Sequence, residues 1–163
     1  MKLANIPSSD LKRVVIIGGG FGGLKLAMKL ARKKVMVVLL DKNNYHSFQP
    51  LYYQVATSGI EPSAISFPLR KIFQHHNNVH IRMARLIKIL PEQNEIETSI
   101  GNLRYDYLVL CIGAGNNFFG NEAISKFALP MKSVGESLGL RNTLLNNFEK
   151  ALNTIDNDEQ SAL

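Results

Sequence analysis

The chain is 163 residues long, about one domain by length, and its 45% apolar and 20% charged residues suit a chain that buries a core. One cysteine excludes an internal disulfide framework, a thiolate zinc cluster and any CxxC redox pair. The net charge of +6 is unevenly spread: residues 1–90 carry 14 Lys/Arg against 3 Asp/Glu, and residues 91–163 carry 5 against 10.

The longest apolar run, residues 35–40, is far short of the roughly 18 residues that would span a bilayer. Residues 1–12 are polar and show no secretory h-region. Composition thus predicts a soluble globular protein of a reducing compartment. The basic half can attract phosphates, anionic lipid or nucleic acid. Lys25, Lys29 and Arg32, however, recur at helical spacing opposite Leu24, Ala27, Met28 and Ala31, which is the pattern of a solvated helix face. No RNP, zinc-finger or basic-zipper signature accompanies them, so no nucleic-acid partner is expected.

In chain order, residues 11–17 form an apolar, β-branched run that stops at Gly18-Gly19-Gly20, and they predict a buried parallel strand. Residues 22–34 have helical periodicity and close on Arg32-Lys33-Lys34, a suitable helix C-terminus. Residues 35–40 predict a second buried strand. Strand, glycine turn, helix and strand make one parallel βαβ unit. A loop then runs to Pro50, followed by a short helix over 51–57 and another over 63–73, perturbed by Pro68.

Residues 79–90 read as extended. Residues 95–100 and 103–112 read as a hairpin about Gly101-Asn102. The apolar run 107–112 is expected to be central and buried, with Cys111 an inert core thiol. Residues 133–152 predict the last helix, striped by Val134, Leu138, Arg141, Leu145 and Phe148, and 153–161 are polar and acidic.

Gly18, Gly20 and Gly23 satisfy G-x-G-x-x-G, and the chemistry asks for each separately. Gly18 permits the tight turn out of the strand, Gly20 removes a Cβ that would block a pyrophosphate, and Gly23 lets helix and strand pack closely. The helix N-terminus adds free N–H groups and a positive dipole. Asp41 ends the next strand 23 residues after Gly18 and can accept two ribose hydroxyls. Strand, turn, helix and acid together predict a Rossmann-like α/β fold that binds a dinucleotide. FAD and NAD share this fingerprint, so the turn alone does not choose between them.

Two further segments carry a resemblance. The run Asp41-Lys42-Asn43-Asn44-Tyr45-His46-Ser47-Phe48-Gln49-Pro50-Leu51-Tyr52-Tyr53-Gln54-Val55-Ala56-Thr57 closely resembles the segment after the second strand in type II NADH:quinone oxidoreductases, the non-proton-pumping NADH dehydrogenases. The run Tyr105 to Ala114 is similar to the second flavin-domain motif of the same two-dinucleotide superfamily; Ile112 stands where that family usually has threonine and brings no hydroxyl. Asn117 to Gly120, Met131 to Arg141 and Phe148 to Lys150 continue the likeness.

The resemblance implies a flavoenzyme peripheral to the membrane, on the cytoplasmic inner face, that passes electrons from NADH through tightly bound FAD to a quinone, with a homodimer allowed. It implies that Gly18, Gly19, Gly20, Phe21, Gly22 and Gly23 hold the FAD pyrophosphate and Asp41 the adenine ribose. Lys42 and His46 would lie along the FAD, Gln49-Pro50-Leu51 would approach the flavin, and Leu86 would contact adenine through its backbone. Gly113 completes the cofactor-binding set. No dithiol pair lies in residues 45–60, so a diffusible acceptor is expected rather than dithiol exchange.

The family also places a second glycine fingerprint, for NADH, further along. Gly113-Ala114-Gly115-Asn116-Asn117-Phe118 fails at the third glycine. The chain is therefore read as the N-terminal part of a longer enzyme and as inactive alone: residues 1–152 are an incomplete FAD-binding domain with a parallel sheet and an antiparallel hairpin, and residues 153–163 are a polar linker. The competing readings are a nucleotide-binding module without chemistry of its own and a basic protein docking on anionic membrane through residues 1–90. His75, His76 and His80 are read as a solvated turn, not a metal site, and Tyr52-Tyr53 as packing beneath the loop or stacking on a flavin or quinone.

Overall fold

The structure is a computed structural model that describes residues 3–162. In chain order its elements are β1 (Arg13–Ile17), α1 (Phe21–Leu30), β2 (Met36–Asp41), β3 (Tyr45–Ser47), a 3-10 turn (Gln49–Leu51), α2 (Tyr52–Ala56), α3 (Pro62–Ile65), β4 (Ser66–Pro68) and α4 (Leu69–Ile72). There follow β5 (Val79–Met83), β6 (Leu86–Leu90), β7 (Glu95–Thr98), β8 (Gly101–Arg104), β9 (Tyr107–Leu110), α5 (Glu122–Phe127), α6 (Val134–Asn153) and α7 (Asn157–Ser161). These form two compact units, one of residues 3–46 and 67–114, the other of residues 47–66 and 115–162.

The first unit is built on a parallel sheet of order β5-β2-β1-β9, with Arg13 opposite Met36 and Ile17 opposite Leu40. Both faces of β1 and β2 are covered, which is why these strands read as unbroken apolar runs. Val14, Ile16, Val37 and Leu39 point to one face, where Ala27 and Ala31 of the α1 segment and Leu69 and Phe73 of the α4 segment cover them. Val15, Ile17, Val38 and Leu40 point to the other, against Ile96 and Leu103 of the antiparallel sheet β6-β7-β8. Each fully buried leucine or isoleucine contributes about 1.5–3 kcal/mol relative to exposure. The one buried carboxylate of that sheet, Glu95, accepts from Asn102 Nδ2 at 2.6 Å and lies 3.5 Å from Arg104 Nε.

Three expectations are corrected and a fourth, the extended run, is refined. The helix over 63–73 is instead α3, β4 and α4, because Pro68 has no N–H to give and forces Phe67 out of the helical region. The extended run 79–90 divides into β5 and β6, which belong to different sheets. The second hairpin arm ends at Arg104: Asp106 accepts from the Arg13 N–H at 2.7 Å and from Lys12 Nζ at 2.8 Å, and this bracket carries the chain across to the parallel sheet. Finally, β9 pairs with β1 alone among the described residues and is not buried, with Tyr107 60% and Leu110 51% exposed. Cys111 lies just beyond it, half-buried rather than fully buried and packed against the core.

In the second unit, α2 packs against α6. Ser133 caps α6, its Oγ accepting from the Glu136 N–H at 3.2 Å, while Glu136 Oε2 accepts from the Lys132 N–H at 2.7 Å. This is close to a capping box and explains why the helix starts where the sequence predicts. Within the expected polar linker, Asp156 caps a further short helix, α7.

Candidate functional site

The site is the turn between β1 and α1. Gly18 leaves the sheet with φ +105°, a region open to glycine, while its N–H donates to the Leu40 carbonyl at 2.7 Å. The neighbouring strand follows it closely: the Cys111 N–H donates to the Ile17 carbonyl at 2.7 Å, and a Cβ on Gly18 would collide with the Cys111 carbonyl oxygen. A Cβ on Gly23 would fall on the Gly18 carbonyl oxygen, so helix and strand can approach this closely only with glycine there. The position of a Cβ on Gly20, by contrast, has no heavy atom within 4 Å. Gly20 also begins α1 without a side-chain cap, and the first turn holds no acidic residue. The open side of the turn therefore coincides with the positive end of a ten-residue helix, an arrangement suited to a phosphate.

Opposite this open side, the end of β2 supplies the acid. Asp41 Oδ2 accepts from the Gly19 N–H at 2.6 Å and Oδ1 accepts from the Asn43 N–H at 2.6 Å. A carboxylate offers about four acceptor positions, so each oxygen retains one for a ligand hydroxyl. Asp41 is the one acidic residue between Leu11 and Ile60, so the surrounding charge is otherwise basic. His46 Nδ1 lies 3.0 Å from the Gly19 carbonyl oxygen, and its ring meets Phe21 edge-on at 5.3 Å and 78°. A dinucleotide fits this donor set: an open, dipole-facing glycine for phosphates and a carboxylate with free acceptor positions for ribose.

The first unit thus brings together Gly18, Gly19, Gly20, Phe21, Gly22, Gly23, Asp41 and His46. Lys42 is exposed beside Asp41. Gly113, at φ +70°, lies two residues beyond the carbonyl that Gly18 approaches. Leu86 pairs with Thr98 and packs its side chain with the Val15 and Ile17 layer, while the group bonded to the Asp41 carbonyl is the Ala84 N–H, at 2.9 Å. Gln49 and Leu51 belong to the second unit, where the Tyr52 hydroxyl lies 2.6 Å from Ser47 Oγ and Tyr52 is buried.

Sequence reasoning missed two neighbours of the turn. Leu69 lies beneath it, with Cδ1 2.9 Å from where a Gly19 Cβ would be, and the Cys111 carbonyl closes over Gly18. Leu69 carries no signal in the sequence; the position of Cys111 at the end of an apolar run was a weak one. Of the histidines, His75 is exposed, His76 meets Phe73 edge-on at 6.3 Å, and His80 sits on β5 opposite Val38. No cluster of three metal-ligating side chains occurs among the described residues. No helix among them is long and apolar enough to cross a membrane.

Known proteins place this turn in context. The chain is 39% identical over 155 residues to a type II NADH:quinone oxidoreductase, Ndh, of Mycobacterium tuberculosis, a match covering 93% of this chain and 34% of the relative. It is 30% identical to the type II NADH:quinone oxidoreductase of Haemophilus influenzae, covering 91% and 38%. The chain thus spans about a third of the length of the curated relatives it matches. Among solved structures, NDH2 of Plasmodium falciparum in complex with RYL-552 superposes with a TM-score of 0.84 at 24% identity, over 92% of this chain and 32% of that one, which shows the shared fold. Residues 12–153, from the first strand of the glycine turn to the end of α6, match one family throughout, and the chain belongs to it: the pyridine nucleotide-disulphide oxidoreductases.

Proposed function

We propose that this chain is the FAD-binding portion of a flavin-dependent oxidoreductase that passes electrons from NADH to a membrane quinone. The observation that carries the reading is the glycine turn: it is open at Gly20, closed at Gly18 and Gly23, and faced by the Asp41 carboxylate. The likeness to type II NADH:quinone oxidoreductases supports the choice of FAD over NAD. In this reading residues 1–152 are the N-terminal part of the FAD domain and residues 153–163 are a polar linker.

In this reading the glycine turn, Gly18 to Gly23, holds the pyrophosphate with the N–H groups from Gly20 onward facing it, while the Gly19 N–H stays on Asp41, whose remaining acceptor positions take the adenine ribose. Lys42 and His46 line the cofactor, Leu86 reaches adenine through its backbone, Gly113 closes on the flavin side, and Gln49 and Leu51 approach the flavin. Bound FAD supplies hydride acceptance from NADH and onward delivery to the quinone; the residues of this chain hold it and shield it. The whole protein would be peripheral on the inner face of the membrane, with a homodimer allowed, and this chain alone would bind FAD without turning over NADH.

Parallel calorimetric titrations with FAD and NAD test the reading. Stoichiometric FAD binding with NAD at least about a hundredfold weaker is the expected result. Tighter NAD than FAD would overturn the cofactor assignment and favour a nucleotide-binding module without flavin chemistry.

A further inference from the structure

The glycine turn raises a physical problem. Five of its six residues are glycine, and a peptide plane flanked by glycines rotates at little steric cost. A plane rotated by half a turn would present a carbonyl oxygen to a phosphate instead of an N–H. Something must therefore hold the planes, and the structure shows two side chains doing so at one residue.

Asp41 Oδ2 holds the Gly19 N–H at 2.6 Å, which orients the Gly18–Gly19 peptide. His46 Nδ1 meets the Gly19 carbonyl oxygen at 3.0 Å, which orients the Gly19–Gly20 peptide. That peptide is trans, as no cis bond occurs among the described residues, so its N–H points opposite to its carbonyl. With the Gly19 carbonyl drawn to His46, the Gly20 N–H is directed away from His46. Gly20 is also the residue whose Cβ position is open space. The imidazole is itself held by the Phe21 edge contact, so the first residue of α1 braces the ring that braces the turn.

We infer that His46 is a positioning residue: its Nδ1–H donates to the Gly19 carbonyl and, together with Asp41 on the Gly19 N–H, clamps the turn with the Gly20 amide presented to the ligand phosphate. A carbonyl cannot donate, so the clamp requires a proton on Nδ1, which in the neutral ring is the Nδ1–H tautomer. His46, lying along the ligand, then serves it chiefly by holding the turn. The affinity consequence rests on the FAD reading above; the tautomer and the held peptide do not.

The test combines nitrogen NMR of the His46 ring in the wild-type chain with two variants. His46→Phe keeps a ring against Phe21 but removes the donor, and His46→Asn places an amide N–H where Nδ1 was. The expected results are the Nδ1–H tautomer, FAD binding about five- to tenfold weaker in His46→Phe, and binding within about twofold of wild type in His46→Asn. The Nε2–H tautomer, or equal FAD affinity in His46→Phe and wild type, overturns the clamp. If His46→Phe does not fold, the wild-type tautomer and His46→Asn decide. If the wild-type chain binds no FAD, the flavin reading fails and amide exchange at Gly19, whose N–H Asp41 holds, decides the clamp. Faster exchange in His46→Phe upholds it, and unchanged exchange overturns it.

Discussion

The two compact units treat their apolar surface differently. In the unit that carries the glycine turn, Val15, Ile16, Val37, Val38 and Leu39 are fully buried, and the alternation along β1 and β2 sends side chains into two separate apolar layers. In the other unit, α6 carries an equally regular stripe that is buried only at its start. Val134 is buried and Leu138 half-buried, but Leu145 is 51%, Phe148 66% and Leu152 80% exposed. Periodicity names the face that an element prefers to bury; whether that face is covered depends on contacts that periodicity does not contain. The glycine turn lies on the covered side of this contrast, at the end of the buried strands.

Four measurements would break or sharpen the contrast. The largest effect is expected at Gly23: Gly23→Val should cost about 3 kcal/mol or more in urea unfolding and abolish FAD binding, because its Cβ would fall on backbone and the helix must back away. A mild effect there would mean the turn is looser than the packing implies. Next, Asp41→Ala removes a charged acceptor from two backbone N–H groups and from the ligand. It should weaken FAD by about 2 kcal/mol, roughly thirtyfold, by calorimetry.

The third concerns pH. Burial, and then the charges of Arg82 and Arg13, hold His80 below its ordinary pKa of 6.5. Its stabilising contribution is therefore complete above that ordinary value and is lost as pH falls through the lower folded-state value. His80→Gln should flatten the fall in stability on that side of neutrality, seen in unfolding curves recorded at successive pH values. The smallest effect belongs to the second unit. The pair Phe148→Ser and Leu152→Ser should change stability by no more than about 0.5 kcal/mol while reducing dye binding to exposed apolar surface. A large loss of stability would show that this end of α6 is covered in solution.

Much of the first unit was legible because its signals are local. The βαβ unit follows from two apolar runs, a glycine turn and a helix period, and Gly18, Gly20, Gly23 and Asp41 follow from spacing with a reason for each. What escaped depends on distance along the chain. The His46 bond to Gly19 joins residues 27 apart, and Leu69 beneath Gly19 comes from a segment that reads as the middle of one helix. That helix fails at Pro68, whose effect on the preceding residue outweighs the apolar spacing around it. The run 107–112 misled in another way. An apolar strand reports the covering of its faces, not the number of its neighbours, so β9 could read as central yet pair with β1 alone among the described residues. The match of residues 12–153 to a redox family agrees with the turn's geometry, but the choice of FAD rests on the resemblance of two segments, 41–57 and 105–114, of which the first is the more specific.

The most direct test of the central claim is the absorbance spectrum of the purified, folded chain after FAD is added and free flavin is removed. A retained flavin band near one equivalent is predicted, unbleached by added NADH. A folded chain that retains no flavin would contradict the account.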